Sequence, residues 1–140
     1  MDDSFHYLLM AAQGLFQRRV LAELAGSGLT AGQPKVLDYL NRFGERDQKT
    51  IAAYCEIEPA TVGSILTRME AAGLITRRQR PGNRRSLYVS LTERGREAAA
   101  ALDGVFAAAE EEATRAMSPD EVEALRAALE RFCRSAGREV

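Results

Sequence analysis

The chain has 140 residues, room for one domain and hardly for two. Hydrophobic residues make up 46% of it, and 19 basic against 20 acidic side chains leave a net charge of −1, so bulk charge neither points to a nucleic acid nor excludes one. No apolar run approaches the ~20 residues that span a bilayer, the start Met1-Asp2-Asp3-Ser4 is unlike a leader, and Cys55 and Cys133 lack metal-ligand spacing. A cytoplasmic protein with reduced thiols is therefore expected, with no membrane partner, cofactor or metal.

From Phe5 the apolar positions Phe5, Leu8, Leu9, Ala12, Leu15 and Phe16 follow the step of an amphipathic helix, extended by Val20, Leu21 and Leu24 until Gly26-Ser27-Gly28 breaks it. This predicts a first helix over about 4–25. Thr30 and Gln33 have capping-box spacing, and Val36, Leu37 and Leu40 mark a short second helix ending near Gly44. Asp47 is placed to cap a third, with Ile51, Ala52, Ala53 and Cys55. Pro59 suits the first position of a fourth, whose apolar side is Val62, Ile65, Leu66 and Met69 and whose end is Gly73.

The period then changes. Residues 74–78 and 86–91 read as strands, and Pro81-Gly82-Asn83 between them as a turn, giving a hairpin with a basic tip. Thr92 is a cap for a long helix reaching about Met117, with Ala98, Leu102, Val105, Phe106, Ala109 and Ala113 on its apolar side. Ser118-Pro119-Asp120-Glu121 opens the last helix, with Val122, Leu125, Leu129, Phe132 and Cys133 on one face.

Two short helices joined by Glu56-Ile57-Glu58 and followed by a hairpin describe a winged helix-turn-helix. The predicted fold is mainly α (α+β): a single domain over 1–140, with the winged helix-turn-helix at 30–92 and helical dimerisation parts at 1–29 and 93–140. A helix fits the major groove, and its N-terminal residues reach base edges. In the fourth helix these are Pro59, Ala60, Thr61, Ser64, Thr67 and Arg68. From Arg68 to Arg96 there are eight arginines against two glutamates, whereas 103–140 carry nine carboxylates against five arginines. Positive charge gathered on one segment is what phosphate binding requires. The hairpin therefore adds Arg78, Arg80, Asn83, Arg84 and Arg85 to the candidate contacts, and double-stranded DNA is the expected partner.

The stretch from Thr61-Val62 through Arg68-Met69-Glu70, then Gly73-Leu74-Ile75, then Arg84-Arg85-Ser86-Leu87-Tyr88-Val89-Ser90-Leu91-Thr92-Glu93-Arg94-Gly95, resembles MarR-family transcription regulators. The resemblance extends to the order of helices along nearly the whole chain. It implies a homodimer joined by the first and the last two helices, binding to a pseudo-palindromic operator, usually as a repressor. It also implies release by a small effector, for which aromatic or phenolic compounds are the first class to consider. One departure stands out. Relatives usually carry an Asp before the arginine pair, where it orients a wing arginine; this chain has Asn83.

Several residues have plainer readings. Cys55 and Cys133 sit among apolar positions and read as buried structural thiols. His6, the only histidine, reads as an ordinary partly exposed side chain, and Tyr7, Phe16, Arg18 and Arg19 read as core or surface before they read as pocket walls. Glu110-Glu111-Glu112 is a solvated helix face. No phosphate-cradling loop, HExxH or zinc-spaced Cys pair occurs, so an enzyme is not expected. A winged-helix adaptor that binds protein would have little use for an arginine-rich wing. An RNA binder would need exposed aromatic platforms that the chain lacks.

Overall fold

The computed structural model describes residues 2–138. In chain order it has α1 (Phe5–Glu23), α2 (Gln33–Phe43), β1 (Arg46–Asp47), α3 (Gln48–Cys55), α4 (Pro59–Ala71), β2 (Ile75–Arg80), β3 (Asn83–Leu91), α5 (Glu93–Ala113) and α6 (Pro119–Ser135). Among these residues no helix is long and apolar enough to cross a membrane.

Helix starts follow local chemistry. The Ser4 hydroxyl accepts the Tyr7 N–H at α1, Asp47 accepts the Thr50 N–H at 3.2 Å at α3, and Thr92 accepts the Gly95 N–H at 3.0 Å at α5. Ser118 and Glu121 form both halves of a capping box at α6. Each such cap stabilises its helix by about 1 kcal/mol.

The start of α2 differs from expectation. Thr30 is not its cap; only half of the box forms, with the Thr30 N–H donating to Gln33 Oε1 at 3.4 Å. The helix begins two residues later than a Thr30 cap would place it because Gly32 turns the chain at φ 87° and Pro34 presets the first turn. A side chain at Gly32 would meet Ile65 Cδ1 at 2.6 Å, so the turn also lets α2 lie close against α4.

Gly73, at φ 78°, ends α4 as expected. Its N–H reaches the Glu70 carbonyl, and the Leu74 N–H reaches that of Met69, both at 3.0 Å. These are the two bonds of a Schellman motif. The chain leaves it directly into β2.

β2 and β3 pair antiparallel from Ile75↔Leu91 to Arg80↔Asn83, with a bulge between Arg78 and Arg80. Both strands run further into the basic tip than the apolar alternation indicated. Pro81 and Gly82 (φ 82°) provide what a type II turn requires. The two-residue β1 was not anticipated; it pairs with β3, giving the sheet order β1-β3-β2.

The core lies between α5 and the unit formed by α2, α3, α4 and the sheet. Val36, Leu37, Ile51, Val62, Leu66, Met69, Ile75, Val89 and Leu102 are fully buried. α1 buries only Val20, and α6 buries nothing. Phe5, Leu8, Met10, Leu15, Leu125, Leu129 and Phe132 are exposed in the single chain, with Phe5 and Phe132 in ring contact at 5.7 Å. α5 ends at Ala113, a turn before the expected Met117. Cys55 is buried and Cys133 half-buried, neither in a disulfide. Burial pushes the Cys55 thiol up to about 11, so it carries little of the reactive thiolate at neutral pH.

Candidate nucleic-acid interface

α4 divides its residues cleanly. Val62, Ile65, Leu66 and Met69 are buried, while Pro59, Ala60, Thr61, Ser64, Thr67 and Arg68 are exposed. Because Ala60, Gly63 and Ser64 are small, the outer face is a shallow concavity bordered by Thr67, Arg68 and Arg77. A helix with such a face can approach base edges closely.

Arg77 fixes how this helix sits on the hairpin. The alternation that buries Ile75 also turns Arg77 inward, where its side chain is only 16% exposed. Its guanidinium donates to Gln48 Oε1 (3.2 Å), Thr67 Oγ1 (3.2 Å) and Glu70 Oε1 (3.1 Å), and its backbone N–H to Glu70 Oε2 (3.2 Å). One side chain thus ties α3, α4 and β2 together. The Thr67 hydroxyl also donates to the Gly63 carbonyl at 2.9 Å, so of the expected α4 contacts it is the one already engaged within the protein.

The wing arginines fall into two groups. Arg78 and Arg80, both expected contacts, converge on Glu45 in the loop between α2 and β1, with Nη2–carboxylate distances of 3.0 and 2.6 Å. The Ser90 hydroxyl donates to the same carboxylate. Held by Ser90, Arg80 and Arg78, in that order of effect, the Glu45 carboxyl is lowered to about 2 despite partial desolvation. The Arg80 guanidinium also lies 4.1 Å from the Tyr88 ring centre. By contrast, the Arg84 and Arg85 side chains have no ion pair or hydrogen bond among the described residues, and neither does Arg68.

Asn83 accepts the Arg85 backbone N–H at 3.3 Å and donates to the Tyr88 hydroxyl at 3.4 Å. It shapes the turn and orients no guanidinium. The wing's carboxylate comes instead from Glu45, which sequence reasoning missed, as it missed Ser90, Tyr88 and Arg77. Only Arg77 left a local signal, a charge on the inward side of an alternating strand. Glu45 left none, because it depends on β1 pairing with β3.

A second feature lies apart from this surface. A cavity of about 230 Å³ is lined by Gln13, Phe16, Gln17, Val20 and Leu21 of α1, Phe106 of α5, and Ala31, Gly32, Pro34 and Lys35. Of the aromatic and basic residues considered for such a pocket, Phe16 lines it; Tyr7, Arg18 and Arg19 do not. His6 is exposed, near Ser4 Oγ at 3.3 Å, and not part of the lining.

A short scaffold helix, a helix with one open face, and an arginine-tipped hairpin make a winged helix-turn-helix of the kind found in DNA-binding transcription regulators. The model of the MarR family matches residues 27–86. The chain is 28% identical over 109 residues to the HTH-type transcriptional repressor Rv2887 of Mycobacterium tuberculosis, covering 78% of each protein. It superposes on the crystal structure of MarR with a TM-score of 0.86 at 27% identity, over 98% of this chain and 93% of that one. The Staphylococcus aureus MepR–DNA complex gives 0.86 at 23% identity, over 96% and 99%, which speaks for the fold alone. Over residues 27–86 the chain matches the MarR family, and over nearly its whole length it shares the fold of the MarR structure.

Proposed function

We propose that this regulator is a cytoplasmic repressor that binds a pseudo-palindromic operator as a homodimer and is released by a small aromatic acid or phenol. The observation that carries the DNA reading is the open face of α4, with the unpaired Arg68 at its border, followed in the chain by a hairpin whose turn is flanked by the unpaired Arg84 and Arg85. Thr61 and Ser64 face base edges in the major groove, with Pro59 and Ala60 beside them, and the wing tip tracks phosphate or a narrow minor groove. Residues 30–92 form the reading part and the flanking helices the dimerisation part of one domain.

Dimerisation follows from the apolar side chains that α1 and α6 leave in water. Eight large hydrophobic ones on these two helices, Tyr7 among them, are exposed, a pattern that a second copy covers. The effector reading rests on the α1–α5 cavity, smaller than the roughly 300–1,000 Å³ of a drug-sized site. Phe16 and Phe106 give it an aromatic wall, and Lys35 stands at its edge for a carboxylate. The relative Rv2887 has been crystallised with salicylic acid, at 25% identity and a TM-score of 0.72. A ligand acts on DNA binding only through its difference in affinity between head spacings.

The test is selection of genomic fragments by the purified protein, followed by titration of the enriched sequence and of random DNA. An inverted repeat with half-sites about 10 base pairs apart is expected. Replacing Thr61 or Ser64 should cost ~1–3 kcal/mol on the operator and little on random DNA. Replacing Arg85 should weaken both and reduce the salt slope by ~1 per chain. Binding to random DNA without salt dependence would point to a protein adaptor instead.

A further inference from the structure

Arg78 and Arg80 are two of the five arginines of the β2–β3 hairpin, yet both are paired within the protein. Arg78 reaches Glu45 Oε2 through Nε (3.3 Å) and Nη2 (3.0 Å), and Arg80 reaches Oε1 through Nε (3.1 Å) and Nη2 (2.6 Å). Ser90 supplies a third donor to the same carboxylate, and Arg46 donates to the Glu45 carbonyl at 2.7 Å. The Glu45 side chain is 17% exposed, well shielded for an ion pair at a surface. The sheet itself does not need it, since β1 pairs with β3 through Arg46 and Asp47.

Phosphate contacts carry no sequence information, and each free arginine near a duplex strengthens binding to every sequence alike. A chromosome offers so many competing sites that the ratio of operator to random affinity matters more than either alone. With two arginines held by Glu45, Arg84 and Arg85 remain as the wing cations without a partner among the described residues.

We infer that Glu45 is a specificity-determining residue: by holding Arg78 and Arg80 against the loop between α2 and β1, it withholds two cations per chain from phosphate and sets the pose from which Arg84 and Arg85 reach DNA. The inference rests on the DNA-binding reading above. Glu45 touches no DNA in this arrangement; it is a positioning residue acting through the two arginines.

Glu45→Gln keeps the shape and removes the charge. If one released arginine per chain finds a phosphate, the dimer gains two contacts. Random-DNA association constants of ~10⁴–10⁶ M⁻¹ built on ~6–10 contacts make two more worth about tenfold. The salt slope on random DNA should steepen by about 2 per dimer, whereas on the operator the same gain is offset by loss of the fixed pose of Arg84 and Arg85, so the operator-to-random ratio should fall by up to about tenfold. Glu45→Asp retains the charge and should keep a slope near that of the parent. In the Arg78→Ala/Arg80→Ala background, Glu45→Gln should change nothing, and that background alone should keep the parent's slope. Circular dichroism and thermal melting establish that each protein is folded before the comparison.

If Glu45→Gln leaves slope and ratio unchanged while the parent binds DNA with a normal salt dependence, the role of Glu45 is refuted and the DNA reading stands. If Arg78→Ala/Arg80→Ala lowers the slope as much as Arg84→Ala/Arg85→Ala, both arginines already contact phosphate and the inference is overturned. A parent protein with no salt-dependent DNA binding defeats the function itself, separately from Glu45.

Discussion

Adding one methyl group at Gly95 should destabilise the protein, although in an average helix the same change is favourable. Gly95 sits in the first turn of α5, where that helix crosses the start of the wing. The Thr92 N–H donates to the Leu74 carbonyl at 3.0 Å, the Thr92 hydroxyl donates to the Gly73 carbonyl at 2.6 Å, and the Gly95 N–H returns to Thr92 Oγ1 at 3.0 Å. A Cβ on Gly95 would lie 2.0 Å from the Leu74 carbonyl oxygen and 3.2 Å from Leu91 Cδ2. The first obstacle is backbone, so relief requires α5 to retreat by about 1 Å and loosen all three bonds. Overpacking of this kind costs about 1–3 kcal/mol, and a weakened hydrogen bond adds about 1 kcal/mol. Helix propensity returns at most about 1 kcal/mol. The net expectation for Gly95→Ala is a loss of about 1–3 kcal/mol, or about 4–12 °C in Tm for a chain of this size. Gly63→Ala is the control, because a Cβ there meets nothing within 4 Å. It should raise stability by about 0.5–1 kcal/mol. Both are measured by thermal and urea unfolding at one fixed protein concentration, since dimerisation makes the midpoint concentration-dependent. A Gly95→Ala protein melting within about 1 °C of the parent would refute the close approach of α5 to Leu74.

The other expectations are shorter. Leu8→Asp or Leu129→Asp should shift the sedimenting species from twice the 15.4 kDa chain mass towards one, with operator affinity lost more than affinity for random DNA; an unchanged dimer would move the interface elsewhere. Lys35→Met should weaken an aromatic carboxylate about 5–10-fold while sparing the matching neutral phenol, read by calorimetry; equal losses would remove Lys35 as the carboxylate's partner. The Glu45 carboxyl, lowered to about 2 from an ordinary value near 4.5, contributes stability that is complete above about pH 5 and fades as pH falls towards 2. The melting temperature of the parent should therefore drop more steeply than that of Glu45→Gln over that window, and parallel curves would deny the carboxylate its ion pairs.

Helices with strong local signals were legible in the sequence. Asp47, Thr92 and Ser118 are caps because a short oxygen-bearing side chain satisfies a free N–H one turn ahead, whatever the rest of the chain does. Gly73 ends α4 because only a residue without Cβ adopts its backbone angle cheaply. The reading face of α4 was legible too, since a period near 3.6 assigns Val62, Ile65, Leu66 and Met69 to one side and Thr61, Ser64 and Arg68 to another.

Tertiary structure decided which charges remain available. Arg78, Arg80, Arg84 and Arg85 look alike along the chain. Only the pairing of β1 with β3 brings Glu45 against the first two and leaves the last two without a partner among the described residues. The start of α2 was likewise beyond local reading, because close packing of Gly32 against Ile65 overrode a capping pattern that Thr30 and Gln33 half complete. Gly95 joins the two levels. Its place after Leu91-Thr92-Glu93-Arg94 was visible as a family signature, but its reason is a carbonyl twenty-one positions earlier in the chain, at Leu74, that folding sets against it. Caps and periodicities act within one or two turns and can be read from neighbours. Ion pairs and close backbone approaches depend on segments brought together only when the hydrophobic core forms.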